Sequence, residues 1–446
     1  MRWLISSLLS KHTVEIDTNS DFSSIDDIKQ LQNQHFLSHL SYSLSHSVYY
    51  QSKFEALDLS LEDIQSIDDI HKIPVTTKEE IERHNVDFLA VSKKQIIEYV
   101  TTSGTLGDPI SIALTHQDQQ RLARNERRAL ELCQITAEDT IQITTTLDKR
   151  FMAGMAYYLG ATALGASVIR SGIGDPDFQW DNIRRFEPTV LIAVPSFAYK
   201  FGNYLLSKGI DPKTTSVRKI VCIGEPIRDS NFEPNTLHQK LTELWDVTLH
   251  STYASTEMAT AFTECNEGIG GHLLPELIYV EILDDHNQPV AMGEVGEITV
   301  TPFGIEGMPL LRYKTGDLAR LHTAPCLCGR NTPRLGAIEG RKGQMIKWKG
   351  TTLFPQQIEN VLNHISEIDN YIIELSLDEL GLDKLKVILP DHLDEYIIAQ
   401  AQRLLQQRLR VNPILEQNTA AYISNEILPK GSRKPRRFVD KRELVH

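Results

Sequence analysis

Between Thr140 and Ile223 short apolar runs alternate with helix-length segments. Strand-like Thr140–Thr144, Ser167–Arg170, Val190–Val194 and Lys219–Ile223 are separated by helix-like Ala153–Leu164, Asp181–Phe186 and Ser196–Lys208. Strands joined through helices at this spacing pair in parallel with the helices laid over the faces, so the pattern predicts helix-covered parallel sheets. From Tyr279 to Leu321 the helices give way to short strands with Gly and Pro turns, as in a small barrel or sandwich. Beyond Gly340 the pattern changes again. Pro355–Asn363 reads as a helix, Tyr371–Leu377 and Lys384–Leu389 as a hairpin around Leu380-Gly381, Glu395–Leu409 as an amphipathic helix and Ala420–Ser424 as a strand, a unit of domain size. Upstream, residues 25 to 90 are polar and helical in pattern. They end in Val75–Glu82, where Thr77 precedes acidic first-turn residues as at a helix start. His116 to Cys133 reads as a helix with arginines on one face. The expected fold is α/β: a large N-terminal domain, residues 1–340, of helix-covered sheets plus a small β-barrel-like part, then a small α+β C-terminal domain, residues 341–446.

Between the strand-like runs Ile96–Val100 and Ile110–Leu114 lies Thr101-Thr102-Ser103-Gly104-Thr105-Leu106-Gly107, with four hydroxyl side chains and two glycines in seven positions. Glycines let backbone N–H groups curl around an anion, and small hydroxyls add donors without filling the space phosphates need. A Walker-type loop would end in Gly-Lys-Ser/Thr and open into a helix. This one has no lysine, continues as Asp108-Pro109 and runs into a second strand. Such clusters between strands are also ordinary turns, so the loop gains weight only from the motifs that follow it.

Those motifs are Ile223-Gly224-Glu225-Pro226, Tyr253-Ala254-Ser255-Thr256-Glu257, Arg312-Tyr313-Lys314-Thr315-Gly316-Asp317, the run opening Gly340-Arg341-Lys342-Gly343, Phe354-Pro355-Gln356-Gln357-Ile358-Glu359, and Gly431-Ser432-Arg433-Lys434. In this order the set resembles the acyl-adenylate-forming superfamily, in its phenylacetate–CoA ligase branch, from about Ile73-Pro74 to Asp440. The resemblance implies an enzyme that activates a small-molecule carboxylic acid with ATP as acyl-AMP and passes the acyl group to the thiol of CoA. A related outcome replaces CoA with the phosphopantetheine of an acyl carrier protein or with a partner protein. A non-catalytic nucleotide-binding protein is the alternative from a different class; intact Glu257, Asp317, Arg341 and Lys434 argue against it.

Residue by residue, the resemblance implies that Thr101, Thr102, Ser103, Gly104, Thr105 and Gly107 cradle the ATP phosphates. Gly224, Glu225 and Pro226 would lie against adenine, and Tyr253 beside the nucleotide and acyl pocket. Thr256 would donate to a phosphate oxygen, and Glu257 would hold Mg²⁺, a hard cation suited to carboxylate oxygen. Asp317 would accept from the ribose hydroxyls, and Arg341 would reach the ribose or phosphate region. Lys434 would bring an ammonium to the α-phosphate and carboxylate during adenylation. Gly343 would be the hinge of a mobile C-terminal lid, and Gly154, Met155, Tyr157, Pro195 and Phe197 plausible acyl-pocket walls. The acid expected by family analogy is aromatic or medium-sized. Asp108 stands where many relatives carry lysine, and Arg433 where a glycine often precedes the catalytic lysine.

Cys265-x6-His272 and Cys326-x-Cys328 supply three thiols and an imidazole, a soft set that suits a closed tetrahedral zinc. By spacing alone, buried free cysteines packed as small apolar side chains are the commoner arrangement and outweigh zinc. The resemblance favours zinc, since some phenylacetate-type ligases are similar at these segments, and four ligands leave no open position, which implies a structural role. Cys133 and Cys222 lie in apolar runs and read as core.

A formal net charge of -13 excludes a general nucleic-acid binder, which needs excess cation against phosphates. No apolar run approaches a membrane span. Met1–Lys11 has a short apolar stretch without a small-x-small cleavage pattern and is expected as a terminal helix. Five cysteines give no disulfide framework, so a reducing cytoplasm is the expected compartment. Whether the protein is a homodimer is left open by the sequence.

Overall fold

A computed structural model describes residues 20–102, 110–348, 351–377, 383–409, 411–429 and 436–442. The terminal helix expected at Met1–Lys11 lies outside them. The chain divides into two compact units, one of residues 1–232, 240–315 and 319–337, the other of 233–239, 316–318 and 338–446.

In the first unit, helices α1 (Ile25–His46), α2 (Val48–Ala56) and α3 (Lys78–Arg83) lead into the hairpin β1 (Ile96–Thr101) and β2 (Ser111–Thr115), paired antiparallel with Tyr99 opposite Ala113. The start of α3 is as expected. Thr77 accepts from the Glu80 amide, and the Glu80 carboxylate accepts from the Thr77 amide, a reciprocal cap. Helix α4 (His116–Leu132) follows β2 directly, closed by the same device between Thr115 and Asp118.

The alternating region then builds β3 (Thr140–Ile143), α5 (Met152–Leu164), β4 (Ser167–Arg170), α6 (Pro176–Phe186), β5 (Val190–Ala193), α7 (Pro195–Ser207), β6 (Lys219–Ile223), α8 (Thr236–Leu244) and β7 (Thr248–Ser255). Strands β4, β3, β5, β6 and β7 lie side by side, all parallel. Residues two apart share a face. Thus Ile141, Ile143, Val190, Ile192, Val221 and Ile223 pack against Leu130 of α4, Cys133 just after it, and Tyr157 and Ala161 of α5. Gln142, pointing the other way, donates to the Gln179 carboxamide of α6 at 2.6 Å, so the opposite face is covered as well. The expectation of a helix-covered parallel sheet is met.

Antiparallel strands β8 (Thr260–Glu264) and β9 (Gly271–His272) extend this sheet beyond β7. Strands β10 (Ile278–Leu283) and β11 (Gly296–Pro302) form a second antiparallel pair, and β12 (Tyr313–Ala319) adds to β11, with Thr315 Oγ1 donating to the Ile298 carbonyl. The part expected to be barrel-like is therefore a separate sheet in which β11 lies between β10 and β12. Short β13 (Leu321–His322) and β14 (Arg334–Leu335) return to the large sheet, β14 pairing with β9.

The second unit contains β15 (Gly340–Arg341), paired with residues 317–318 of β12, then β16 (Ile346–Trp348), β17 (Thr351–Leu353), α9 (Pro355–Leu362), β18 (Ile372–Leu377), β19 (Asp383–Pro390), α10 (Glu395–Leu409), β20 (Ile414–Asn418), α11 (Ala420–Ile427) and β21 (Phe438–Asp440). Its sheet runs β20–β19–β18–β21. Ile373, Leu375, Leu385 and Val387 pack on one face with Ile358 of α9 and Ala401 and Leu405 of α10, while Ile372 and Ile388 pack on the other with Ile423 and Ile427 of α11.

The expected strand Ala420–Ser424 is instead the helix α11. Thr419 caps it by accepting from the Tyr422 amide at 3.2 Å, and Ile423 and Ile427, four apart, form its buried stripe. The true strand is the preceding Ile414–Asn418, an edge strand whose polar residues hide its period. Among the described residues no helix is long and apolar enough to cross a membrane.

Candidate active site and metal centre

Of the expected phosphate loop, Thr101 and Thr102 are described, while Ser103, Gly104, Thr105, Gly107 and Asp108 lie outside the described residues. The base of the loop is fixed on both sides. The Thr102 amide donates to the Ile110 carbonyl at 3.0 Å, and the Ile110 amide donates back to Thr102 Oγ1 at 3.2 Å. The Thr101 amide donates to the Arg150 carbonyl. Both threonines are buried, so their hydroxyls belong to the base of the loop.

Gly224 leaves the end of β6 at φ +76, a left-handed turn that favours glycine, and apart from its chain neighbours no atom of the described residues lies within 4 Å of where a Cβ would stand. The bare backbone face fits a segment against which a flat base would lie. The Glu225 carboxylate accepts from the Ser196 amide and from Ser196 Oγ, each at 2.8 Å, tying the end of β6 to the first turn of α7. An acid placed there also meets the positive end of the helix dipole. Tyr253 is half-buried on β7, its ring tilted against Phe262.

Thr256 and Glu257 occupy the turn between β7 and β8, both half-buried. Glu257 Oε1 accepts from the Tyr313 hydroxyl at 3.2 Å. Among the described residues no cation pairs with this carboxylate, whose oxygens are hard donors. That donor chemistry fits Mg²⁺.

In the second unit, Asp317 on β12 sits opposite Arg341 on β15. The guanidinium donates twice to the carboxylate, Nε to Oδ1 at 2.7 Å and Nη2 to Oδ2 at 3.3 Å. Gly343 is exposed within a single helical turn, Lys342–Gln344. Lys434 lies outside the described residues.

The acyl-pocket candidates have different surroundings. Tyr157 is a core side chain of the sheet-to-α5 layer, and burial raises its phenol well above the usual range. Gly154 is forced by proximity, since a Cβ there would come within 2.0 Å of the Thr146 carbonyl oxygen. Pro195 is buried at the first position of α7, whereas Met155 and Phe197 are half-buried, Phe197 stacking on Phe201.

Cys265 follows β8, His272 is in β9, and Cys326 and Cys328 lie between β13 and β14, so the pairing of β9 with β14 brings all four together. Their ligand atoms lie within 4.8 Å of one another. Zinc bound at ordinary Zn–S and Zn–N lengths spaces tetrahedral donors about 3.5 to 3.8 Å apart. Here the sulfurs of Cys265 and Cys326 are 3.8 Å apart, and Cys328 Sγ lies 3.5 Å from His272 Nε2. All the cysteines are free. His272 Nδ1 bonds Thr332 Oγ1 at 3.1 Å, which turns Nε2 toward the thiols. Burial, with Arg330 and Arg334 nearby, lowers the His272 pKa to about 4, keeping the ring in its neutral, ligating form. The set fits zinc. Cys133 and Cys222 are fully buried in the core, as expected.

Two contributors were not singled out in the sequence: the Tyr313 hydroxyl on Glu257, and the polar side of α4, whose Asp118, Arg121 and Asn125 hold other segments by their backbones. The available signal was the arginine-lined face of α4.

The AMP-binding enzyme family model matches residues 25–305, well over half of the chain. The chain belongs to that family. As an AMP-binding enzyme, it lies in the phenylacetate–CoA ligase-like branch of the acyl-adenylate-forming superfamily. It is 27% identical to the phenylacetate-coenzyme A ligase of Escherichia coli over 434 residues, covering 95% of this chain and 97% of that enzyme. The phenylacetate-coenzyme A ligase of Thermus thermophilus is likewise 27% identical, over 440 residues. Among solved structures, a 2-hydroxyisobutyryl-CoA ligase in its postadenylation state superposes with a TM-score of 0.83 at 20% identity, covering 96% of this chain and 92% of that one. This likeness fixes the fold of the family member described here: a large α/β unit followed by a small C-terminal one.

Proposed function

We propose that this chain is an ATP-dependent acid–thiol ligase that activates an aromatic, phenylacetate-like acid as its acyl-adenylate and transfers the acyl group to CoA. The observation that carries this reading is Glu257, a half-buried carboxylate on the β7–β8 turn that accepts from the Tyr313 hydroxyl and, among the described residues, pairs with no cation, in a chain that follows phenylacetate–CoA ligases along almost their whole length.

In the first step a carboxylate oxygen attacks the α-phosphorus of ATP, the bond to the β,γ-phosphates breaks, and pyrophosphate leaves. The Thr102–Ile110 clasp holds the base of the phosphate loop, Gly224 offers backbone to the adenine, and Thr256 donates to a phosphate oxygen. Glu257 would hold Mg²⁺, which offsets phosphate charge when bound. Asp317 accepts from the ribose, with Arg341 orienting its carboxylate. Lys434 brings a point cation to the carboxylate and α-phosphate, where negative charge gathers. In the second step a thiolate sulfur attacks the acyl carbon and AMP departs, the thiol proton passing to solvent. Gly343 is the hinge for this change of step. Cys265, His272, Cys326 and Cys328 would hold a structural zinc, which when bound would tie β8 and β9 to the β13–β14 loop.

Mass spectrometry of a reaction with phenylacetate, MgATP and CoA tests the reading. Phenylacetyl-CoA and AMP forming in equal amounts is the expected result. Acyl-adenylate accumulating with CoA untouched would reject CoA as acceptor and point to a carrier protein.

A further inference from the structure

Arg121 of α4 is a fully buried guanidinium that, among the described residues, no carboxylate contacts by a hydrogen bond. Its Nε donates to the Phe303 carbonyl at 2.6 Å and its Nη1 to the Ala259 carbonyl at 2.7 Å. Its Nη2 donates to Thr260 Oγ1 at 3.0 Å and to the Leu277 carbonyl at 2.7 Å. Removing a cation from water into such a place is costly unless its donors are met. Here they are met by three chain segments that are distant in sequence: the β7–β8 turn, the residue before β10 and the residue after β11.

The β7–β8 turn is the part that bears on chemistry. Thr260 Oγ1, which accepts from Arg121, itself donates to the Met258 carbonyl at 2.9 Å. Ala259 is held at φ +44, left-handed and unfavourable for a residue with a Cβ. One turn further along α4, Asn125 Oδ1 accepts from the Ala261 amide at 3.2 Å. The backbone from Met258 to Ala261 is thus pinned from one side of one helix, immediately after Glu257, and Tyr313 holds the carboxylate end of Glu257 from β12.

We infer that Arg121 is a positioning residue for the metal: its guanidinium sets the backbone of Met258–Thr260 and so the direction in which Glu257 presents its carboxylate. The inference rests on the reading of Glu257 as the Mg²⁺ ligand. Groups that orient a metal ligand commonly matter by about tenfold or more in metal affinity, without touching the metal. Four fixed donors in a planar fork reach four acceptors at once, which a lysine ammonium cannot reproduce.

The test is binding of Mn²⁺, followed by electron paramagnetic resonance, in the presence of an ATP analogue with a non-cleavable α–β bridge. Four proteins are compared: wild type, R121K, T260V and E257Q. T260V removes only the hydroxyl between Arg121 and Met258. The expected result is weaker Mn²⁺ binding by about tenfold in R121K and about threefold in T260V, with affinity for the metal-free analogue unchanged. A merely structural arginine would lower the melting temperature and leave the Mn²⁺ affinity of the folded fraction as in wild type. Loss of affinity in E257Q alone, with R121K and T260V binding as wild type, overturns the inference while the Glu257 reading stands. Wild-type affinity in E257Q removes Glu257 as ligand and the inference with it. Should R121K fail to fold, T260V decides alone, and an unshifted Mn²⁺ affinity in it overturns the inference.

Discussion

Arg341 grips Asp317 across the β12–β15 pair with two hydrogen bonds, 2.7 Å and 3.3 Å, and the carboxylate is far less exposed than the guanidinium that holds it. A planar guanidinium fixes both oxygens of an acid in one plane, so the rotamer of Asp317 is set before any ligand arrives. Both ribose hydroxyls can then be met by one pre-oriented group. D317N keeps the shape and removes the charge. Hydrogen bonds to charged groups contribute about 1.5–3 kcal/mol, so kcat/KM for ATP should fall by about tenfold or more. The preference for ATP over 2′-deoxyATP, measured by pyrophosphate release, should shrink in the same variant. A full preference retained in D317N would remove the ribose assignment.

The four-residue soft cluster predicts metal content. Elemental analysis of protein purified without chelator should find about one zinc per chain. C265S and C328S should lose that metal and melt at a lower temperature, because closed zinc sites contribute folding energy directly. C133S, altered at a fully buried core thiol outside the cluster, should keep it. Metal-free wild type with undiminished melting temperature would return the cluster to the core.

Glu126 carries a pH prediction. It is buried on α4, its Oε1 accepts from Asn125 Nδ2 at 3.1 Å, and its Oε2 has no hydrogen-bond partner among the described residues. Burial raises its pKa from 4.5 to about 8, against the opposing Asn125 hydrogen bond. The folded state therefore keeps a proton that the unfolded chain has lost between these values. Its contribution to stability is complete below pH 4.5 and declines as pH rises toward 8. E126Q should remove this dependence, so its melting temperature relative to wild type should rise steadily from pH 5 to pH 8. A constant difference across that range would show that the carboxyl does not titrate as described.

Gly154 predicts a packing cost. A Cβ there meets main-chain atoms of Thr146, which cannot swing aside as a flexible side chain would. G154A should destabilise the first unit by about 1–3 kcal/mol, the usual range for overpacking, seen as a lower melting temperature with bound zinc retained. An unchanged melting temperature would mean that α5 shifts freely.

Legibility followed burial. The parallel core could be read because both faces of β5 and β6 are covered, which leaves continuous apolar runs such as Val190-Leu191-Ile192 bounded by helices. The reciprocal cap at Thr77 was equally visible, being a local signal. Ile414–Asn418 was missed because an edge strand needs few apolar residues, and Ala420–Ser424 was misread because Tyr422-Ile423 mimics strand composition inside a helix. The zinc ligands were readable as residue types, but their convergence depends on the pairing of β9 with β14, 62 residues apart at Arg334 and His272. Arg121 was illegible as a functional residue for a related reason. A buried arginine bonded to carbonyls leaves no charge partner in the sequence to mark it.

The central claim is that this chain makes an acyl-adenylate from an aromatic acid. ATP–pyrophosphate exchange measures that step alone, without any acceptor. The account predicts exchange that requires both phenylacetate and Mg²⁺ in wild type and falls by about a hundredfold or more in E257Q, whose protein still folds. Exchange absent with every aryl and alkyl acid supplied, in protein that binds ATP, would contradict it.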